Sequence, residues 1–472
     1  MATSTKQGGS SPSRRGKSKK SDTPASRLPT GHKKRSYTLE DLVADTTSDI
    51  GALERHEDFP HLPAQKHWKD VFSAGVGISR NRTFICDKEL AHRVIEGLNL
   101  DEAEGQVTIV EAYPGPGILT RLLLEHPKVE KVIAMEDNTT YLPCIQALQN
   151  DPTVAGGPPG SKLLIEGTNP YRWEAHTNVI LRGAFDHLQG KLPGDGNGEE
   201  TIDVKAISQG KVSRLRKHDT ESWTAKSQII FLAQLPNIVY SEQLFAQLCH
   251  AIAHRQWYYQ FTRVKMAFVC SEALANRALA EPGNRARAKL GVIVQSLADV
   301  TKALPASEFL PHSQKIYPST ALRDPELIQR EIDSNQGKVL AAYKTSRLAA
   351  NLSKRGTSLI IVDPKIKPLV GHGELDALEF ITRNLFVLRN QTVEHALKHV
   401  APGAENLLQH LKPDTEETRD HPERIILPDY IVMHLTNEQW AALARVFDCW
   451  PFRPQILIED QRAPGGELPG LL

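Results

Sequence analysis

Between residues 107 and 270, short apolar runs alternate with stretches in which apolar residues recur at helical spacing. This alternation is typical of β-α-β units, in which helices connect parallel strands. It predicts strands at 107–112, 131–136, 162–166, 228–234 and 263–270. Between them it predicts helices that include 118–125, 139–150 and 241–254. We therefore predict an α/β fold with a doubly wound, Rossmann-like sheet.

After about residue 272 the strand patterns fade and helical patterns dominate, notably at 324–344 and 374–399. This change predicts a sheet domain at 37–271 followed by a smaller, all-helical domain at 272–412. A polar, glycine-rich stretch at about 189–225 interrupts the sheet domain and indicates a surface insertion. Residues 413–472 are predicted to form a linker and a C-terminal tail that carries Trp440, Phe447, Trp450 and Phe452.

The composition of the 472 residues, with 40% hydrophobic and 24% charged residues, is typical of soluble globular proteins. No apolar run approaches the ~20 residues of a membrane-spanning helix, so we predict no membrane span. The five cysteines form no C-x-x-C pair, which favours neither a disulfide framework nor a zinc site. His250 and His254 are four residues apart but lack the Glu that a metalloprotease helix carries beside its first His. We predict no metal site.

The net charge of +1 conceals a basic leader, because residues 1–36 hold ten Lys or Arg and the single acid Asp22. Too few apolar residues accompany these charges to order the leader, so we expect it to be disordered. Abundant Ser and basic residues with scarce acid fit a mitochondrial targeting segment, although Pro and Gly oppose the amphipathic helix of such segments. A nuclear or nucleolar basic tail and a phosphate-binding arm remain alternatives.

A glycine-rich loop, Glu111-Ala-Tyr-Pro-Gly-Pro-Gly-Ile-Leu-Thr120, follows the first predicted strand and opens a helix. Gly115 and Gly117 allow the backbone to approach a ligand closely at the carboxyl end of that strand. Glu136 ends the second predicted strand, where a carboxylate can accept hydrogen bonds from both hydroxyls of a ribose. These residues predict a nucleoside-type cofactor, and nicotinamide cofactors and S-adenosylmethionine fit equally well. A tight turn without a ligand is the alternative.

Six segments of the chain, taken in order, resemble the ribosomal RNA adenine dimethyltransferase family: 111–120, 132–136, 231–245, 271–295, 309–322 and 380–411. The Tyr-Pro-Gly of the loop and Asn169-Pro-Tyr-Arg-Trp173 resemble the mitochondrial transcription factors of fungi within that family. The resemblance implies a Rossmann-like methyltransferase domain beside a helical domain. It also implies S-adenosylmethionine as the cofactor of active members and small-subunit ribosomal RNA as their substrate.

The resemblance aligns the family's catalytic Asn-Leu-Pro-Tyr motif with Gln234-Leu235-Pro236-Asn237. In the family, the Asn side chain and a backbone carbonyl bind the adenine amine, and the aromatic ring stacks on the flipped-out base. Gln234 adds a methylene group, and a displacement of about 1 Å in such a site can cost about 100-fold in rate. Asn237 has no ring with which to stack. The positions Gln234, Pro236 and Asn237 therefore predict a degenerate catalytic motif.

Two further departures concern the cofactor. Tyr113 replaces the first glycine of the family's loop, and Thr168 replaces the carboxylate that holds the cofactor's adenine amine. The resemblance implies that S-adenosylmethionine, a possible cofactor whose binding these changes weaken, contacts Glu111, Tyr113, Gly115, Gly117, Glu136 and Thr168.

Basic and aromatic residues interleave between positions 255 and 265, a composition suited to single-stranded nucleic acid. Further arginines cluster near the predicted domain junction. The predicted nucleic-acid contacts are Arg255, Trp257, Tyr258, Arg263, Arg277, Arg285 and Arg287. A helix-to-strand corner with buried aromatic residues is the alternative for the first group, and a solvated face is the alternative for the second.

Two functions follow from the resemblance. The favoured one is a transcription initiation factor of the mitochondrial matrix that assists mitochondrial RNA polymerase in recognising and melting promoter DNA. The other is an active S-adenosylmethionine-dependent adenine N6-dimethyltransferase that acts on small-subunit ribosomal RNA.

Overall fold

The computed structural model describes residues 53–72, 82–155, 162–192, 201–211, 223, 225–318, 356–454 and 457. The described residues lie within one compact unit. The predicted leader, the predicted helix at 324–344 and part of the predicted insertion lie outside the described residues.

Nine strands are described: β1 (Phe84–Ile85), β2 (Val107–Ala112), β3 (Val129–Met135), β4 (Leu163–Glu166), β5 (Lys226–Gln234), β6 (Arg263–Ser271), β7 (Ala298–Leu304), β8 (Ile316–Tyr317) and β9 (Thr357–Pro364). Seven of them form one sheet in the order β4-β3-β2-β5-β6-β9-β7. Strands β2 to β6 run parallel, and β9 is antiparallel to both β6 and β7. β1 and β8 form a separate antiparallel pair.

The strand order confirms the predicted doubly wound sheet. The chain builds β2, β3 and β4 outward in one direction and then returns to place β5 and β6 on the other side of β2. Adjacent β2 and β5 therefore flank the switch point, where open α/β sheets bind ligands at the carboxyl ends of their strands. The strands of this half are buried along most of their length, which explains their continuous apolar runs.

Strands β7 and β9 were not predicted, because only helical patterns were read after residue 272. β9 is buried and pairs with two neighbours, whereas β7 is the edge strand and carries polar residues such as Asp299 and Lys302. A polar edge strand gives a weak periodic signal, and its pairing with β9 determines its conformation. Beyond β9 the described chain is helical, as predicted. The boundaries drawn at 271, 412 and 413 stay a prediction.

The helices connect the strands and cover the sheet. They are Trp68–Val71, Lys88–Glu96, Ile118–Glu125, Leu142–Gln149, Pro152–Ala155, Trp173–Leu181, Val204–Ser208, Val239–His254, Glu272–Ala278, Lys289–Leu297, His312–Lys315, His372–Leu385, Val393–Leu397 and Asn437–Asp448. Side chains cap several of them: Ser271 accepts from the Leu274 amide, and Thr436 forms a capping box with Gln439.

The aromatic residues of the predicted tail divide between the core and the surface. Trp440 is buried and stacks on Phe386 at 5.2 Å, and Phe447 stacks on Phe380 at 5.4 Å. Phe452, by contrast, is 76% exposed. The Asn437–Asp448 helix therefore packs on the helical region.

Candidate functional site

The switch point of the sheet brings together the positions predicted to bind cofactor and those aligned with the catalytic motif. The glycine-rich loop follows β2, Glu136 follows β3, Thr168 follows β4, and Gln234 ends β5. Because β2 to β5 are parallel, their carboxyl ends meet at one edge of the sheet.

The glycine-rich loop has the left-handed backbone that glycine adopts freely. Gly115 has φ of +64° and Gly117 has φ of +93°. A Cβ atom at Gly115 would lie 2.9 Å from Cβ of Phe84, so no larger residue fits there. Tyr113 also has a positive φ, +58°, which is uncommon for a residue with a bulky side chain. The loop at Tyr113 thus holds a backbone conformation suited to glycine although the residue is tyrosine.

The Tyr113 side chain is buried within the site. Its hydroxyl donates to Oδ1 of Asn169 at 3.1 Å, and Nδ2 of Asn169 donates to Oδ2 of Asp137 at 2.7 Å. Burial raises the pKa of the Tyr113 hydroxyl well above its usual value, so the phenol is protonated at neutral pH. This chain of hydrogen bonds joins the loops after β2, β3 and β4.

Glu136 forms a buried ion pair with Arg82. The guanidinium donates from Nη1 to Oε1 at 2.8 Å and from Nη2 to Oε2 at 2.6 Å. Both side chains are almost completely buried. The same carboxylate also accepts from the backbone amides of Gly115, Asp137 and Asn138.

Two aromatic rings lie beside the Arg82 guanidinium, whose central carbon is 4.8 Å from the Tyr113 centroid and 5.5 Å from the Tyr141 centroid. Desolvation opposes the charge of Arg82, but the attraction of Glu136 outweighs it and raises the arginine pKa. Sequence reasoning missed Arg82, because no local pattern distinguishes it from Arg80 two positions earlier.

The other acidic groups of the site are also partnered within the chain. Glu111 is buried and accepts from the Thr120 hydroxyl at 2.7 Å, and desolvation raises its pKa to about 8. The Thr168 hydroxyl donates to Oε1 of Glu166 at 3.1 Å, and Arg182 donates to Oε2 of Glu166 at 2.6 Å.

Gln234 uses both ends of its amide to bind the backbone of its own chain. Oε1 accepts from the Ile85 amide at 3.2 Å, and Nε2 donates to the Pro114 carbonyl at 3.2 Å. Asn237 is exposed. A cavity of about 130 Å³ adjoins these residues and is lined by Thr83, Phe84, Ile85, Gln234, Leu235, Asn237, Val269, Cys270, Ser271, Ile316, Gly356 and Thr357.

Four of the predicted nucleic-acid contacts lie in the core. Tyr258 bonds to His176 through its hydroxyl, Arg263 donates to the Pro364 carbonyl, Arg287 donates to the Ala280 carbonyl and to Asn437, and Trp257 packs edge-on against Trp173. The burial of Trp257, Tyr258 and Arg263 matches the core alternative for the first group, whereas Arg287, of the second group, is buried and not on a solvated face.

The other three predicted contacts have some exposed surface. The Arg255 guanidinium lies 4.9 Å from the Trp223 centroid, Arg277 pairs with Glu242 at 2.5 Å, and Arg285 is exposed. A nucleic-acid role for these arginines stays a prediction.

Exposed aromatic residues lie instead after β4 and β5. Trp173 is 46% exposed and Tyr240 is 44% exposed, and the Tyr171 ring lies 5.1 Å from that of Tyr240. We call Tyr171, Trp173 and Tyr240 the aromatic surface. Arg172, between two of its members, is exposed. Sequence reasoning singled out Asn169–Trp173 only for its resemblance, and it missed Tyr240.

His176 holds the segment that carries two members of the aromatic surface. Nε2 donates to the Pro170 carbonyl at 2.6 Å, so Nδ1 accepts from the Tyr258 hydroxyl at 2.8 Å. Acceptance at Nδ1 requires a neutral ring, and burial lowers the pKa of His176 to about 4.

Acidification is therefore expected to destabilise this region. Below pH 6.5 the unfolded chain protonates His176 while the folded chain does not, until the pH approaches 4. The His176 contribution to the free energy of unfolding should fall by about 2 kcal/mol between pH 7 and pH 5. Urea titrations of the wild type, His176→Gln and the exposed control His395→Gln measure this. An equal pH dependence in all three proteins would contradict the assignment.

A family model described as ribosomal RNA adenine dimethylase matches residues 78–423 of the chain. The chain belongs to this family. Membership and the strand order together confirm the predicted fold class. Among the described residues, no helix is long and apolar enough to cross a membrane, and no group of three or more His, Cys, Asp or Glu is arranged to hold a metal ion.

Some relatives of this chain are named as dimethyladenosine transferases and others as mitochondrial transcription factors. Dimethyladenosine transferase 1, mitochondrial, of Vermamoeba vermiformis is 21% identical over 413 residues, covering 84% of this chain and 97% of the relative. Mitochondrial transcription factor 1 of Lachancea kluyveri is 22% identical over 358 residues, covering 75% of this chain and 84% of the relative. A solved dimethyladenosine transferase from Plasmodium falciparum has a TM-score of 0.41 at 14% identity, covering 76% of this chain and 95% of that chain.

The methyl donor implied by the dimethylase family does not fit the described residues as they are arranged. Both carboxylate oxygens of Glu136, which a ribose diol would need, accept from Arg82 and from backbone amides. The Tyr113 ring lies against the same guanidinium.

Proposed function

We propose that this chain is a mitochondrial transcription initiation factor that assists mitochondrial RNA polymerase in recognising and melting promoter DNA. Its frame is that of an adenine dimethyltransferase whose catalytic site has degenerated. The chain would act by binding, in the mitochondrial matrix, and not by transferring a methyl group.

One observation carries this proposal: the position that orients the adenine amine is occupied by a side chain bound to its own backbone. Gln234 donates to the Pro114 carbonyl and accepts from the Ile85 amide, so its Oε1 already has a donor. Asn237 offers no π-face for a flipped-out base. A methyl-transfer reaction needs both functions, because the amine lone pair is delocalised into the ring and must be oriented.

The aromatic surface supports a role in holding an unpaired strand. Single-stranded nucleic acid binds where aromatic faces accept bases and basic side chains accept phosphates. Trp173 and Tyr240 present exposed rings near the carboxyl edge of the sheet, and Arg172 supplies a positive charge on the same segment. A melted promoter provides such a strand.

The names of relatives support the same reading. Three relatives, from Lachancea kluyveri and two Saccharomyces species, are named mitochondrial transcription factor 1. The relative from Vermamoeba vermiformis is named a mitochondrial dimethyladenosine transferase, which keeps methylation of small-subunit ribosomal RNA as the competing function. Both kinds of name favour a mitochondrial location.

Two assays on the purified full-length chain separate these functions. We expect no transfer of label from S-adenosylmethionine to adenines of small-subunit ribosomal RNA, in parallel with an active family member as a positive control. We also expect the chain to stimulate promoter-dependent transcription by the cognate mitochondrial RNA polymerase, and a pre-melted promoter to reduce that dependence.

Label in dimethyladenosine, lost in a Gln234→Ala variant, would overturn the proposal and favour the enzyme. A chain that neither stimulates transcription nor binds the polymerase would also overturn it.

A further inference from the structure

We propose that Arg82 is a built-in occupant of the cofactor site, in which its guanidinium takes the place that the ribose diol of a nucleoside cofactor has in active relatives. The inference does not depend on the transcription role, since an occupied site is compatible with any noncatalytic function. It states that the Arg82–Glu136 pair stabilises this site in the absence of a cofactor.

The geometry of the pair matches that of a ligand and its receptor. A ribose diol offers two adjacent donors to the two oxygens of one carboxylate. Arg82 offers two parallel N–H groups, at 2.8 and 2.6 Å, to the two oxygens of Glu136. Three backbone amides donate to the same carboxylate, so a diol could bind Glu136 only by displacing the guanidinium.

Two aromatic rings, together with Glu136, surround the Arg82 guanidinium. The guanidinium lies near the Tyr113 and Tyr141 rings, and both tyrosines are buried. Tyr113 has a glycine-like φ of +58°. Its ring and the Arg82 guanidinium contact each other within the site.

Residues 82–85, which include Arg82, contact the rest of the site. Phe84 packs against Gly115, and the Ile85 amide donates to Gln234. Phe84 and Ile85 pair with Tyr317 and Ile316 of β8. One short segment thus contacts the carboxylate, the glycine-rich loop and the altered catalytic motif, and the Arg82–Glu136 pair fixes its first residue.

The Arg82–Glu136 pair should lower the affinity for a nucleoside cofactor. A cofactor can enter only the fraction of molecules in which Arg82 has left Glu136, and its apparent dissociation constant rises by the inverse of that fraction. Because both charges would be left unpaired in the interior, this fraction is small. Removing the guanidinium and the Tyr113 ring should restore access.

The test uses calorimetric titration of the full-length chain with S-adenosylmethionine up to about 1 mM. The proteins are the wild type, Arg82→Gln, Tyr113→Gly and the double variant. The control is Arg93→Gln, which removes an arginine that pairs with Glu308 outside the site. Circular dichroism checks that each variant is folded, and Arg82→Ala, which also removes the guanidinium and leaves room for water beside Glu136, replaces Arg82→Gln if that variant is unfolded.

We expect no binding by the wild type and the control, and a gain in affinity of at least about tenfold in the double variant. Further replacement of Glu136 by Gln should abolish that gain. Micromolar binding by the wild type would overturn the inference, because Glu136 would then be accessible. A folded double variant that gains no affinity would also overturn it, because Arg82 would not be what closes the site. Neither result depends on a transcription assay.

Discussion

Replacing Glu136 with Gln is expected to lower the free energy of unfolding by about 3–5 kcal/mol, because it leaves the Arg82 charge buried without a partner. The loss is large because the two side chains have almost no solvent exposure and share two short hydrogen bonds. Arg82→Met should cost a similar amount, for the reciprocal reason.

A double-mutant cycle measured by urea denaturation tests this directly. The Arg82→Met/Glu136→Gln protein should lose much less stability than the sum of the two single variants, since no unpaired charge remains. Glu394→Gln, which removes an exposed ion pair with Lys398, is the control and should leave the unfolding midpoint nearly unchanged. Additive losses would mean that the two charges do not depend on each other.

Replacing Trp173 or Tyr240 with Ala is expected to weaken binding to a single-stranded oligonucleotide by about 10- to 100-fold each. Stacking of one base on an aromatic side chain contributes about 1–3 kcal/mol, and these two rings are exposed while Trp257 and Tyr258 are buried. Val239→Ala is the matched control, because Val239 is exposed and apolar beside Tyr240 but has no π-face.

Fluorescence anisotropy over a range of salt concentrations separates stacking from charge. The aromatic variants should keep the wild-type salt slope, whereas Arg172→Ala should reduce that slope by about one phosphate contact. Unchanged affinity in both aromatic variants would exclude the aromatic surface as the binding site. In that case the partly exposed Arg255 and Arg277 and the exposed Arg285 would be the next positions to replace.

The sheet core and the loop chemistry were readable from the sequence because they depend on local patterns. Each of the five predicted strands was found with its ends within two residues of the observed ones. Gly115 and Gly117 were found because a left-handed turn after a buried strand needs glycine. Glu136 was found because it follows a predicted strand of the same parallel sheet, and Gln234 was found through the resemblance to the family's catalytic motif.

Features that depend on long-range contacts could not be predicted in this way. β9 pairs antiparallel with β6 and β7, which are both distant from it in sequence, so the pairing leaves little trace in the periodicity of these segments. The interleaved residues at 255–263 have the composition of a binding segment, yet Trp257, Tyr258 and Arg263 are buried with partners from elsewhere in the chain. Composition records which groups are present, whereas burial depends on what packs over them.

The sequence by itself determined the fold class and the position of the glycine-rich loop, and its resemblance to the family aligned Gln234 and Asn237 with the catalytic motif. Only the tertiary structure decided that Arg82, 54 residues before Glu136 in the chain, forms an ion pair with the Glu136 carboxylate. The physical reason is that strand periodicity and turn chemistry act over a few residues, whereas the partner of a buried charge is chosen by the folding of the whole chain.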